Sequence, residues 1–365
     1  MITIRRLIYR EVIAAVAFVA LGFLALFFFF DFVDELPNVT RGGAYHLTHA
    51  MLFVLLQVPN HLYELLPIAV LIGTIFVMAR LAQSSEYTIL RTSGLGPGRA
   101  LRSLLGLGVV FTLLTFAAGD YAAPAADRAA QLLKARMQGK LSIGQTGAWL
   151  KERQPQRTYT VNVAALTPEG QMQGVRIFES DLRGFMVSMV QAQNAEFGPD
   201  AWILRDVERI DFGATASGTA VAAGARQARV TWPTAISPEM VSVALLKPER
   251  MRTLDLFEYI RHLEANGQTS QRYEIEFWRK VFYPLSCMVM VVLALPFAYL
   301  HFRSGGITAF VFGGVLIGIS FFLLNNVFGY IGNLGNWLPW LTAAAPGLIY
   351  SVLSLGAFGW LVLRR

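Results

Sequence analysis

The sequence predicts an α-helical membrane protein with six transmembrane helices, three before and three after an inserted β-rich domain of jelly-roll type. Three observations carry that prediction. The 365-residue chain is 55% hydrophobic and only 15% charged, with a mean hydropathy of +0.47, whereas an ordinary soluble domain is about 25% charged. Six runs lack Asp, Glu, Lys and Arg over lengths near the span of a bilayer. Between the third and fourth lies a polar stretch patterned as short strands. A simple soluble enzyme is excluded.

A hydrocarbon core of about 30 Å takes about 20 apolar helical residues. The candidate spans are Val12–Phe30, Leu65–Ala79 extended upstream by the stretch after Pro59, Ser103–Gly119, Val281–Leu300, Ile307–Phe328 and Leu338–Leu363. Trp337, Trp340 and Trp360 sit near the ends of the last as interfacial anchors. The first run is too long for the core of a signal peptide and no small-x-small cleavage site follows it, so it is expected to stay as a helix.

Orientation follows from basic residues beside the spans. Arg5, Arg6, Arg10, Arg80, Arg91, Arg99, Arg102, Arg303, Arg364 and Arg365 fall on one side, opposed only by Glu11 and Glu86, which predicts both termini in the cytoplasm. The net charge of +7 is mostly this topological excess, because Asp120–Gln271 holds 17 basic and 16 acidic side chains. A nucleic-acid surface therefore has no support. Cys287 is the sole cysteine, so the chain can build neither an internal disulfide nor a cysteine zinc site.

The insert, Asp120–Gln271, leaves on the outer side. Tyr159, Val161 and Val163 alternate with Thr158, Thr160 and Asn162, and similar runs follow at Gly174–Glu179, Gly184–Gln191, Ala201–Phe212 and Arg226–Trp232. Turn residues at Thr167–Gly170, Asp181–Gly184 and Gly198–Asp200 separate them. Such spacing suggests a sandwich or jelly roll of about 100 residues, with Ala214–Ala225 as a loop. Leu254–Asn266 reads as an amphipathic helix with Leu256, Ile260 and Leu263 on one face and Gly267 as its stop.

The chain lacks G-x-x-x-x-G-K-[ST], so ATP drives this protein only through another subunit. Gly94-Leu-Gly-Pro-Gly98 has no preceding strand and no following Lys, which makes it a helix stop and turn. His46, His49, His61, His262 and His301 show no metal-ligand spacing, and no nucleophile elbow is present. More informative is Ser84–Gly94, between the second and third spans. A serine at the N-cap, Glu86 in the first turn and a closing Gly94 predict a short helix at the cytoplasmic surface, able to dock on a partner. Gly314-x-x-x-Gly318 lets two helix backbones approach closely, within the chain or against a partner.

Pro59–Pro67 followed by Ile68–Gly73, Leu81–Glu86, Arg91–Gly94 and Arg272–Leu285, with the three-plus-three layout, resemble the lipopolysaccharide export permeases over nearly the whole chain, the G-type member more than the F-type. The resemblance implies a non-catalytic subunit of the bacterial inner membrane that pairs with a homologous F-type permease over a cytoplasmic ABC ATPase dimer. ATP and Mg are then used by that ATPase and no cofactor is bound by this chain. It also implies a periplasmic β-jelly-roll domain handing lipopolysaccharide to a periplasmic jelly-roll bridge protein, with a single-span accessory subunit.

On this reading residues 1–123 hold helices one to three with a coupling helix at about 84–94, residues 124–270 the β domain, and residues 271–365 helices four to six. Ser85, Glu86, Tyr87, Leu90 and Arg91 are the candidate ATPase-coupling residues. Val161, Val163, Phe178 and Val187 are candidate jelly-roll lining. Where the G-type pattern places lysines near the outer end of helix one, this chain reads Asp31, Pro37 and Asn38. Asp31 then either faces the aqueous periplasm without a role, pairs with a cation such as Arg41 or Lys280, or meets a lipid head that is less anionic or bridged by a divalent ion, the pairing being favoured; Asp31, Arg41, Arg272, Arg279 and Lys280 are the candidate head-group or cavity residues. The rival reading is a structural or sensory anchor whose β domain binds periplasmic protein.

Overall fold

Apolar runs in lipid fold as helices because a helix satisfies its own backbone polar groups. In the computed structural model, which describes residues 2–40, 45–94, 96–138, 147–167, 170–198, 201–214, 220–245, 247–299 and 307–360, these runs become α1 (Ile2–Thr40), α2 (Leu47–Gln83), α4 (Pro97–Ala117), α10 (Ile307–Leu334) and α11 (Pro339–Phe358). The seven-residue α3 (Glu86–Thr92) lies between α2 and α4. Among the described residues five helices are long and apolar enough to cross a membrane. At 1.5 Å per residue α1 is about 58 Å long and outruns a bilayer core.

The fourth expected span, Val281–Leu300, is not one straight helix. It is built from α8 (Gln271–Phe282) and α9 (Ser286–Ala294), which runs on through a 3₁₀ turn, Leu295–Tyr299; the two parts are bent by 47°. The break holds Pro284, which has no N–H to donate, and the chain turns there through Cys287 N–H to the Pro284 carbonyl (3.1 Å). Counting the bent pair as one crossing gives six.

α4 does not hand over directly to strands. It passes through a π turn, Ala118–Ala122, into α5 (Ala123–Gln138), so the insert begins as a helix. The chain divides into two compact units, residues 1–35, 54–127 and 274–365, and residues 36–53 and 128–273. The first is centred on α9, whose Cys287, Met290, Val291 and Ala294 are fully enclosed among Leu71, Ile75 and Met78 of α2, Leu104 and Leu107 of α4, and Phe321 of α10.

The second unit is a six-stranded antiparallel sheet of β1 (Ala148–Arg153), β2 (Thr158–Leu166), β3 (Met172–Ser180), β4 (Met186–Phe197), β5 (Ala201–Ala214) and β6 (Ala220–Pro233), ordered β1 to β6 without a crossover. The expected β-rich insert, read as a sandwich or jelly roll, is among the described residues one antiparallel sheet in up-and-down order. Ala220–Ala225, expected in a loop, belong to β6, because the ladder with β5 (Ala220 opposite Ala214) needs only backbone groups. β1 was not legible: Ala-Trp-Leu-Lys-Glu-Arg favours helix, and pairing with β2 overrides it.

One face of the sheet is covered. Leu150, Val161, Ile177 and Val190 stand opposite one another across β1 to β4, and they form a core with Trp202, Trp232, and residues of α6 (Pro238–Leu245) and α7 (Thr253–Ala265). Trp202 Nε1–H donates to the Ile236 carbonyl at 2.7 Å. α7 is the expected amphipathic helix, burying Leu256, Ile260 and Leu263, and it ends at Gly267 with φ +64°.

Candidate functional site

The expected coupling helix exists, with a different cap. Ser85 occupies the N-cap but has φ 60° and no side-chain capping bond, so its hydroxyl does not start the helix. Gly94, at φ 101°, ends it as expected, its N–H donating to the Arg91 carbonyl. Three side chains hold α3 to the membrane unit. Tyr87 is buried and donates its hydroxyl to Tyr299 Oη at 3.0 Å, the rings meeting edge to face at 5.2 Å. Leu90 packs on the core one turn later, and Arg91 lies over the Tyr299 ring at 5.8 Å. Ser85, Glu86 and Ile89 are exposed, so α3 offers an acid and an apolar side chain outward from a fixed base.

At the other end of the same helices polar groups meet across spans. Asp31 Oδ2 and His61 Nε2 are 2.6 Å apart, and the imidazole stacks on Phe27 at 4.9 Å. Asp31 therefore has a partner, but it is His61 and not Lys280; Arg41 lies outside the described residues. Lys280 is buried, and its ammonium donates to the Gly119 carbonyl at 3.0 Å, in the π turn Ala118–Ala122, a kind of turn frequent at functional sites. It does not snorkel. Arg279 donates to Glu276 Oε1 at 3.4 Å and Asn326 Oδ1 at 2.8 Å. Tyr283 donates to the Glu64 carbonyl at 2.5 Å. Tyr63 lies so close that a Cβ on Gly119 would fall 2.4 Å from its ring, so only glycine fits there.

Arg272 stands in the second unit, donating to Glu249 Oε1 at 2.9 Å. Burial alone would raise the Glu249 carboxyl; the bonds from Arg272 and from its own backbone, with the charges of Arg272 and Lys247, outweigh it and hold the group below its usual value. Among the described residues each of these cations has its own partner: Glu249 for Arg272, Glu276 and Asn326 for Arg279, and the Gly119 carbonyl for Lys280.

Gly314 and Gly318 face α2 of their own chain: a Cβ would meet Ile75 Cδ1 at 2.8 Å and Ile68 Cγ2 at 2.7 Å. The close approach they permit is used internally. The exposed side of α10 instead carries Phe312, Leu316, Ile319 and Leu323.

The candidate lining residues separate by face. Val161 and Val163 lie fully buried under α6 and α7. Phe178, one residue beyond Ile177, points to the opposite face, because strand side chains alternate. There a row of Thr160, Phe178, Met189 and Ile210 runs across β2 to β5, Trp149 stacks on Phe178 at 6.0 Å, and Trp149 and Phe212 remain 49% and 40% exposed. Val187 sits in a bulge, since Glu179 pairs with Ser188 and Ser180 with Met186.

Residues that sequence reasoning missed are His61, Glu64, Glu276, Asn326 and Tyr299. His61 and Glu64 were visible as ionisable residues within a largely apolar segment, which is itself a functional signal. Tyr299 carried none, since a Tyr closing an apolar run reads as an interfacial anchor. Among the described residues no group of three or more His, Cys, Asp or Glu is placed to hold a metal ion.

The chain is similar to the lipopolysaccharide export system permease protein LptG of Escherichia coli, at 28% identity over 338 residues, which cover 92% of this chain and 90% of that protein. It is similar to the protein of the same name from Haemophilus influenzae at 24% identity over 367 residues, covering 100% and 99%. The family model for the lipopolysaccharide export system permease LptF/LptG matches residues 6–364, a range that takes in most of α1, the sheet and the whole of α11. Because that match takes in the three-plus-three helices and the β insert together, the chain belongs to the lipopolysaccharide export permease LptF/LptG family.

Proposed function

We propose that this permease extracts lipopolysaccharide from the inner membrane as one half of an ABC-type transporter, with its termini in the cytoplasm and its sheet in the periplasm. The observation that carries the reading is α3, which presents Glu86 and Ile89 outward while Tyr87 and Leu90 fix it inward. That is the form of a docking element for an ATPase, which binds ATP and Mg on its own chain. A homologous F-type subunit completes the cavity wall, a single-span accessory subunit attends it, and a periplasmic jelly-roll protein receives the lipid.

The role of this chain is binding and movement, with no bond made or broken by its side chains. Acyl chains need an apolar surface, and the uncovered face with Trp149, Phe178, Met189, Ile210 and Phe212 supports that use better than the buried Val161 and Val163. In membranes holding the full complex, a photo-crosslinker at Phe178 is expected to capture lipopolysaccharide only when ATP is hydrolysed, and one at Val161 to capture none. Glu86→Lys is expected to abolish ATPase docking. Normal docking and release in Glu86→Lys, with ATP-independent labelling at Phe178, would favour the anchor reading instead.

A further inference from the structure

A force on α3 reaches the membrane unit at few points. The helix has seven residues, and Glu86, Thr88, Ile89 and Thr92 are exposed. Its buried anchor, Tyr87, ends hydroxyl to hydroxyl on Tyr299, 212 residues away in sequence, and Arg91 lies over the same ring. Both side chains thus bear on the last residue of the 3₁₀ turn that closes the α8–α9 crossing.

That crossing is the one bent pair among the described helices, with its 47° break at residues 283–285. Ties to three other spans gather at and beyond the break. Tyr283 donates to the Glu64 carbonyl of α2, Lys280 to the Gly119 carbonyl in the continuation of α4, and Arg279 to Asn326 of α10. Below the break α9 is enclosed and packed tightly on α4, where a Cβ on Gly108 would lie 3.1 Å from Met288 Cα. A rigid lower arm, a proline break and an upper arm tied to three helices by single side chains form a lever.

We infer that Tyr299 is the positioning residue that passes movement of the coupling helix into the bent α8–α9 crossing, which carries it to Glu64 of α2, to Gly119 just beyond α4 and to Asn326 of α10. The inference rests on the permease reading and adds the route within the chain. Tyr299 contacts neither nucleotide nor lipid in this mechanism; it sets how much of one event reaches the other.

The test uses the complete reconstituted complex in vesicles, reading lipopolysaccharide released per ATP hydrolysed for Tyr87→Phe, Tyr299→Phe and Tyr299→Leu. Losing the hydroxyl pair lowers that ratio about fivefold, the worth of one net hydrogen bond, and Tyr299→Leu, which also removes the ring under Arg91, lowers it further. Nitroxides at the exposed Val281 and Val109 report the movement of α8 against α4. Their separation changes on ATP binding with Tyr299 and stays fixed with Leu. If Tyr299→Leu does not assemble, Tyr299→Phe keeps the ring and decides the question. A wild-type ratio in both phenylalanine variants, or a nitroxide separation that ignores ATP in the wild-type chain, overturns the lever. A wild-type chain that recruits no ATPase removes the permease reading itself, a different result.

Discussion

The membrane unit and the sheet pair their charged side chains in different ways. In the sheet Glu179 is buried and accepts from Arg157 and from Ser188 Oγ (2.6 Å), with Arg209 at 3.6 Å. Glu152 is likewise buried and accepts from Thr234 and from the Ala235 N–H (3.0 Å). These partners sit on or beside strands already locked by the ladder, so the charges are fixed structure. In the membrane unit Lys280–Gly119, Asp31–His61 and Arg279–Asn326 each join different helices. The same chemistry that joins neighbouring strands of one sheet here joins separate helices, so any shift of one helix against another would have to strain these bonds.

The contrast is broken or sharpened by substitution. Glu179→Leu leaves Arg157 and Arg209 facing an apolar side chain and is expected to destabilise the sheet by about 3 kcal/mol, the lower end for a broken buried pair because both arginines keep some water. Thermal unfolding of the purified chain followed by limited proteolysis within the insert measures it, and an unchanged midpoint would place the charge in solvent.

Gly318→Leu pushes a side chain into Ile68 and is expected to cost about 1–3 kcal/mol of helix packing. The loss should appear as a lower melting temperature of the isolated permease. A normal isolated chain that fails only to pair with its homologue would put this face at the subunit boundary instead.

Asp31→Asn weakens the tie to His61 by about 0.6 kcal/mol, the usual scale for a polar pair between membrane helices, and is expected to slow lipid release about threefold. The exchange Asp31→His with His61→Asp should restore release if the pair only joins α1 to α2. Failure of the exchange to restore it would mean that the carboxylate meets the lipid itself.

The smallest effect concerns pH and lies in the second unit. Burial lowers the basicity of His262, and the Glu152 charge opposes it without cancelling it. The unfolded chain therefore binds a proton that the folded one resists in the window just below the ordinary value of 6.5. Stability rises with pH through that window and falls on acidification. His262→Gln should flatten this slope in unfolding curves between pH 5 and 7, and an identical slope would assign it to the carboxylates.

Composition and uncharged run length were enough to read the helical membrane class, the three-plus-three order and the polar insert, because the bilayer penalises every exposed backbone group and every charge in the same way wherever the chain came from. Periodicity and turn residues likewise located α7 and five of the six strands, and Gly94 marked the end of α3. Partners at long separation were not legible. That Asp31 meets His61, that Lys280 lies on Gly119, that Gly314 and Gly318 face Ile75 and Ile68, and that Tyr87 ends on Tyr299 depend on how helices rotate and cross. Nor could alternation say which face of the sheet α6 and α7 would cover, because Val161 and Phe178 are both apolar and stand on adjacent strands. Local preference sets an element's type from its own residues, whereas a packed face is chosen by the whole core at once, and only the tertiary structure carries that choice.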